Sequence, residues 1–192
     1  MDEYADGEVG AHTFPVERAG DLEDPTRFRF CSREELLETL GPTPESAVAD
    51  LGSGTGFYTR ELAPFVGTIY AVDSQPGMHE QFRDLGVPTN VEFVTANVSS
   101  LPFAEDHLDG AFSTMTHHEY ADPQSFATLA RVIRPGGRLV TVDWSADGDG
   151  NDGPPCSERL TAEDTCAALE AVGFETVDVR RRPETFLVVS RR

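Results

Sequence analysis

"VADLGSGTGFYTREL", residues 48–62, runs from apolar residues around an acid into three alternating glycines and then into a helix-compatible stretch. Val48, Ala49 and Leu51 surround Asp50, the pattern of a short buried strand. Gly52, Gly54 and Gly56 follow, and without a Cβ the backbone there can turn sharply and approach a ligand closely. A strand, a glycine turn and a helix in that order predict an open α/β sheet with its ligand at the strand ends.

The glycine spacing restricts the ligand. A dinucleotide fingerprint places its glycines at relative positions 1, 3 and 6, whereas here they stand at 1, 3 and 5 and Phe57 takes the sixth place. A phosphate-cradling P-loop needs a lysine, and the chain contains none. What the sequence offers is Asp50 before the glycines and a second acid, Asp73, at the end of the next apolar run. That is close to the interval of ~20 residues that brings a carboxylate to a bound ribose.

Outward from this stretch, strands and helices alternate. Strands are expected at Ala47–Leu51, Thr68–Asp73, Val91–Thr95, Gly110–Met115 and Arg138–Trp144, and helices at Gly56–Ala63, Pro76–Leu85, Pro123–Ile133 and Ala162–Val172. Phe174–Arg180 and Thr185–Ser190, separated by a few residues around Pro183, predict an antiparallel closing hairpin. The alternation implies a mostly parallel sheet covered on both faces. The first ten residues are polar and expected to be mobile. Ser32 with Glu35 reads as a capping box, followed by a short helix through Leu40 to Gly41 and Pro42. Residues 1–45 therefore form an N-terminal extension, a candidate lid, and residues 46–192 the main domain.

Composition excludes several classes. The 192 residues carry 34 acids against 15 basic residues, all arginine, for a net charge of −19. Such a surface repels nucleic-acid phosphate and is better tolerated in salt, a composition similar to that of proteins from salt-loving microbes. No apolar run approaches the ~20 residues of a spanning helix, and the acidic start lacks the pattern of a signal peptide, so a cytoplasmic protein is expected. Cys31, Cys156 and Cys166 are odd in number and show no CxxC spacing, which argues against a disulfide framework or a structural zinc. Asp147, Asp149, Asn151 and Glu158 fall at EF-hand spacing, but Asp152 occupies the glycine position and two prolines follow, so an acidic loop is expected and no metal site.

The glycine stretch resembles motif I of the class I S-adenosylmethionine-dependent methyltransferases, and "YAVDSQPGM" resembles their motif II. "VTANVSSLPF", "HLDGAFSTMTHHEYADP" and "RVIRPGGRLVTVDW" look like three later family segments in the same order. The flanking sequence is similar to the small type-11 group, related to ubiquinone/menaquinone-biosynthesis enzymes. The resemblance implies a Rossmann-like three-layer sandwich with a seven-stranded sheet in the order 3-2-1-4-5-7-6, and S-adenosylmethionine as cofactor. It places cofactor contacts on Asp50, Gly52, Ser53, Gly54, Gly56, Asp73, Ser74, Met78, Asn97, Val98, Met115 and Thr116. It implies methyl transfer; the lack of an NPPY-like tetrapeptide, together with the negative charge, points to a small-molecule acceptor, and a monomer or homodimer is expected. A non-catalytic adenosylmethionine-binding regulator, or a nucleotide-dependent oxidoreductase on the same sheet, are the alternatives.

Acceptor-side residues are sought where the later strands end. His117 and His118 follow strand four, and either is a candidate base because imidazole titrates near neutrality. Asp143 and Trp144 end strand five, and His12 and Arg29 lie in the extension; all four are acceptor-side candidates.

Overall fold

The computed structural model describes residues 13–192. His12, expected on the acceptor side, and the first ten residues, expected to be mobile, lie outside the described residues. Seven strands form one sheet: β1 (Ala47–Leu51), β2 (Thr68–Asp73), β3 (Val91–Thr95), β4 (Leu108–Thr114), β5 (Ile133–Trp144), β6 (Glu175–Arg181) and β7 (Thr185–Arg191). Their spatial order is β3-β2-β1-β4-β5-β7-β6. β1 to β5 pair in parallel, while β7 runs antiparallel to both β5 and β6, so the expected hairpin closes one edge.

Successive side chains of a strand leave on opposite faces, and the two core clusters follow that rule. Val48, Phe112, Val140 and Leu187 meet Leu36 and Leu40 of α1 (Arg33–Leu40) and Tyr58 and Leu62 of α2 (Phe57–Leu62). Ala49, Leu51, Ala111 and Leu139 meet the opposite layer through Phe126 and Leu129 of α5 (Pro123–Val132) and Leu169 of α6 (Ala162–Glu170). Between them, α3 (Pro76–Leu85) follows β2, and a four-residue turn of helix, α4 (His117–Tyr120), follows β4. This α4 is an element the sequence pattern did not announce.

The differences from the sequence expectations are local. β5 begins at Ile133 rather than Arg138: the β4–β5 register jumps between Leu108 and Gly110, so Pro135–Gly137 bulge within the strand instead of preceding it. Half of the expected capping box forms. Ser32 Oγ accepts from the Glu35 N–H at 3.1 Å, but the Glu35 carboxylate is drawn to Arg180 and Arg182 across the molecule. The extension divides in two. Cys31 and α1 are built into the core of the sheet, whereas Thr13–Arg29, mostly two 3-10 turns (Val16–Glu23 and Pro25–Arg29), cross the C-terminal ends of the strands. Glu23 anchors that crossing segment by accepting from Thr55 Oγ1 at 2.5 Å and by pairing with Arg60.

Candidate functional site

A cavity of about 640 Å³ opens at the C-terminal ends of β2, β1, β4 and β5, roofed by the crossing segment. This is a volume typical of small-molecule sites. The reversal of strand order between β1 and β4 creates the crevice there, where α/β sheets bind ligands.

The glycine turn is its floor. Gly52 and Ser53 both donate backbone N–H groups to Val72 O at 2.9 Å, which ties the turn to β2. Gly52 has φ +74°, and a Cβ there would lie 2.6 Å from Thr116 Oγ1, so no other residue fits. Asp73 at the end of β2 accepts from Gly54 N at 2.9 Å through one oxygen and from Gln75 N at 2.8 Å through the other. A carboxylate oxygen has two acceptor sites, so each retains one for a ligand hydroxyl.

Asp50 is buried at 1% exposure. One oxygen accepts from Thr59 Oγ1 at 2.6 Å, and the other has no partner among the described residues. Burial pushes its pKa up to about 7, against the pull of Thr59 and of the Arg27 guanidinium. A buried carboxylate with an unused oxygen at a cavity wall fits a cationic ligand group.

The far end of the cavity is organised by β4 and β5. Met115 sits in the left-handed region at φ +60°, uncommon for a side-chain-bearing residue, and its N–H donates to Val142 O at 2.8 Å. His118 lines the cavity, and its Nδ1 lies 3.0 Å from both oxygens of Asp143, which is fully buried. Asp143 also accepts the His118 backbone N–H at 2.6 Å. Burial opposes charge on His118, but Asp143, helped by Glu119 and Glu158, outweighs it and holds the imidazole pKa above its ordinary value. Glu119, which also lines the cavity, is pushed up to about 7 by burial. Trp144 and Phe30 form an aromatic wall, with ring centroids 4.8 Å apart, completed by Gly153 and Pro154 of the acidic loop. Glu184 holds that loop by accepting from Gly150 N and Asn151 N and by pairing with Arg159.

Residues 49–141 match the family model described as a methyltransferase domain. The fold is that of the S-adenosylmethionine-dependent methyltransferases. A structure of such an enzyme from Aquifex aeolicus superposes with a TM-score of 0.83 at 27% identity, covering 93% of this chain and 98% of that one. A Haloferax volcanii protein described as a putative methyltransferase, solved with the Trm112 activator, shares the fold at a TM-score of 0.76 and 18% identity, covering 92% and 96%. Among curated relatives, a ubiquinone/menaquinone biosynthesis C-methyltransferase of Ectopseudomonas mendocina is 34% identical over 125 residues, 59% of this chain and 47% of the relative. The chain thus spans about half the length of the curated relatives it matches. The family match and the Aquifex aeolicus neighbour support S-adenosylmethionine as the cofactor, and the residues present suit it. Asp50 presents an unused buried oxygen for its ammonium, Asp73 keeps acceptor sites for two hydroxyls, and no phosphate-binding cation is required.

Of the expected cofactor residues, Asp50, Gly52, Ser53, Gly54, Asp73, Ser74, Met78, Asn97, Val98, Met115 and Thr116 all line the cavity. Gly56 does not. It caps α2 at φ +77°, and an added Cβ would fall 2.1 Å from the Phe82 ring, so its glycine is required for packing. Of the two candidate catalytic histidines, His118 reaches the cavity and His117 does not. His117 is 1% exposed, packed against Tyr120 and Phe126 with Nε2 3.3 Å from Thr165 Oγ1, and burial lowers its pKa to about 4. Among the acceptor-side candidates Trp144 lines the cavity and Asp143 stands behind His118. Arg29 faces outward, over the Phe30 ring and paired with Asp152 at 2.8 Å. Phe14 and Arg27 of the candidate lid line the cavity, and Phe30 and Glu119 line it without having been expected there. Phe14, Arg27 and Phe30 lie in irregular segments with no periodicity to read, and Glu119 is carried by α4.

Proposed function

We propose that the protein is an S-adenosylmethionine-dependent methyltransferase acting on a small-molecule acceptor whose nucleophile loses a proton on methylation. The observation that carries the reading is one cavity with two chemically distinct ends. Asp50, Asp73 and the glycine turn lie toward β1 and β2, and the His118–Asp143 pair with the Trp144 wall lies toward β4 and β5. The bound cofactor supplies a methyl group already activated on a sulfonium. The protein's part is alignment, exclusion of water and removal of the acceptor proton. His118 donates from Nδ1 to Asp143, leaving Nε2 as the nitrogen to take that proton, while Phe14, Phe30 and Trp144 supply apolar walls. Asp73 is assigned to the ribose hydroxyls, and Asn97 and Val98 to the adenine side.

The histidine–carboxylate pair favours an enzyme over a protein that only binds the cofactor, since binding alone has no use for an oriented base. The curated relatives named above are C-methyltransferases; a carbon acid and a hydroxyl both meet the requirement set by His118. Calorimetric titration with S-adenosylmethionine, S-adenosylhomocysteine and NAD tests the cofactor part of the reading. Binding of both sulfur ligands and not NAD, weakened at least tenfold by Asp73→Ala, supports it. A folded protein that binds neither sulfur ligand refutes it.

A further inference from the structure

The end of the cavity that holds His118 is built outward from one contact. His118 Nδ1 lies 3.0 Å from Asp143, and the residue that follows each of them in the chain lines the cavity: Glu119 after His118, and Trp144 after Asp143. The Phe30 ring packs on the indole with centroids 4.8 Å apart. Gly153 lies so close to the indole that a Cβ there would fall 2.4 Å from Trp144 Cδ2. The Arg159 guanidinium lies over the same ring at 5.6 Å, and Glu158, which precedes it at the end of a 3-10 turn (Cys156–Glu158), lines the cavity as well. Two carboxylates and two aromatic rings therefore share this end with the imidazole.

Charge at this end is unbalanced, because the arginines that border it are already matched. Buried Arg159 pairs with Glu184 at 3.2 Å and donates to Pro154 O at 2.8 Å, to Ser145 O at 3.3 Å and to Asp152 O. Arg29 pairs with Asp152 at 2.8 Å, and Arg18 with Asp21 at 2.9 Å. Arg27, which also lines the cavity, lies on the β1 side, 5.1 and 5.2 Å from the ring centroids of Phe57 and Tyr58 just after the glycine turn. Among the described residues no arginine stands within ion-pairing distance of Glu119 or Glu158, and Glu119 accepts one backbone N–H, from Phe14. Burial pushes the Glu119 carboxyl up to about 7, as expected of a carboxylate short of a counter-charge.

These surroundings select the charge of the acceptor. An anionic acceptor would set a further negative charge beside Glu119, Glu158 and Asp143, with no free guanidinium to meet it. A neutral one would shield Glu119 from water without replacing what water supplies. An ammonium group meets both carboxylates, and aromatic faces attract a cation. We propose that the acceptor carries an ammonium group, held by Glu119 and Glu158, with its carbon skeleton against Phe30 and Trp144. The ammonium is a binding handle and not the methylated atom. Held by carboxylates it stays protonated, and a protonated amine has no lone pair to attack the methyl group. The proton that His118 removes therefore comes from a second group of the same molecule. The inference rests on the reading of His118 and of the cofactor given above.

The test uses probes with one ring and different charges: tyramine as the cation, p-cresol as the neutral compound and 4-hydroxyphenylacetate as the anion. Each is titrated into protein saturated with S-adenosylhomocysteine, by calorimetry and by the fluorescence of Trp144, the single tryptophan of the chain. Tyramine is expected to bind about tenfold tighter than p-cresol, the scale of a partly desolvated ion pair with a cation–π contact, and to change the Trp144 emission. The anion is expected to bind more weakly than p-cresol. Glu119→Gln combined with Glu158→Gln is expected to erase the advantage of tyramine and leave the affinity for p-cresol unchanged. Tyramine that binds no better than p-cresol, or not at all, overturns the inference alone, as does an advantage that survives the double substitution. A double variant that loses affinity for S-adenosylmethionine but not for S-adenosylhomocysteine assigns the carboxylates to the sulfonium and overturns it too. A wild-type protein that binds no S-adenosylhomocysteine overturns the cofactor reading, and this inference with it.

Discussion

His118 and Asp143 are joined twice, by a backbone N–H donated to Asp143 Oδ2 at 2.6 Å and by an imidazole Nδ1 3.0 Å from both carboxylate oxygens. The double attachment brings the end of β5 to the start of α4 and fixes one imidazole tautomer. Asp143 receives a third donor, Trp144 N at 2.8 Å, so both carboxylate oxygens are hydrogen-bonded in a site with no solvent exposure.

The His118 pKa lies above the ordinary imidazole value of 6.5, and a base works only when neutral, so methyl transfer is expected to rise with pH on a limb above 6.5. Asp143→Asn removes the partner that raises the pKa and moves that limb to lower pH. His118→Gln is expected to cost about 10²- to 10⁴-fold in rate, with S-adenosylhomocysteine binding within about threefold of wild type, because an acceptor-side base makes no cofactor contact. Nuclear magnetic resonance titration of the His118 ring reads the pKa directly. A value at or below 6.5 that is insensitive to Asp143→Asn contradicts the assignment.

Asp50 predicts a pH dependence of cofactor binding. Its folded pKa of about 7 lies above the model value of 3.8, so the charged form that attracts an ammonium is populated only as pH rises through 7. Affinity for S-adenosylhomocysteine is expected to increase between pH 5.5 and 8 by up to about thirtyfold, since the charged fraction of one group with a pKa of about 7 climbs from roughly 3% to roughly 91% there. The sign for stability is opposite. A carboxyl raised on folding stabilises the folded state below about pH 4 and loses that contribution as pH climbs to 7. Thermal melts of the ligand-free protein are expected to fall across that window less steeply in Asp50→Asn, and calorimetry on the same variant should show a flattened pH dependence of binding.

The strands and the closing hairpin were legible because β1, β2 and β3 are compact apolar runs punctuated by glycines and acids, whereas the strand order came from the family resemblance and not from the residue pattern. The cofactor end of the cavity was equally legible, since Asp50, Gly52, Gly54 and Asp73 are fixed by spacing along two adjacent strands. The acceptor end was not. His117 and His118 are indistinguishable as letters, and what separates them is the direction in which the four-residue α4 turns them, one toward Phe126 and the other toward Asp143. Arg27 and Arg29, two residues apart in a 3-10 turn, part in the same way: one faces the cavity and the other pairs with Asp152. Irregular elements carry no period from which a facing can be read.

His117 predicts acid sensitivity rather than loss of activity. Burial lowers its pKa to about 4 from 6.5, so below pH 6.5 the unfolded chain takes up a proton that the folded one refuses. Stability is expected to fall as pH drops from 6.5 to 4, by up to about 3 kcal/mol at roughly 1.4 kcal/mol per unit. His117→Phe places an apolar ring between Tyr120 and Phe126 and removes the titration. Denaturant unfolding at pH 4.5 and 7.5 should give a smaller difference in the variant, with methyl transfer retained. Loss of turnover in a folded His117→Phe protein would return the catalytic role to this residue.

Gly56 separates a packing glycine from a binding one. At φ +77°, and with a Cβ position 2.1 Å from Phe82 Cε1, Gly56→Ala must both strain the backbone and displace a fully buried ring that also packs on Phe93. The left-handed backbone alone costs roughly 1–2 kcal/mol, and overpacking adds about 1–3 kcal/mol. Gly41 supplies the control: at φ +62° and ψ +45° it shares the left-handed region, and a Cβ there meets only the flexible end of Arg138 at 3.3 Å, so Gly41→Ala bears little beyond the backbone strain. Chemical denaturation is expected to show Gly56→Ala destabilised well beyond Gly41→Ala. Adding Phe82→Leu to Gly56→Ala should recover part of the overlap term, so the two substitutions together cost less than the sum of their separate effects. Strict additivity would mean that the ring is not what the glycine accommodates. The wild-type affinity for S-adenosylhomocysteine should survive in whatever fraction of Gly56→Ala remains folded, since Gly56 lines no part of the cavity.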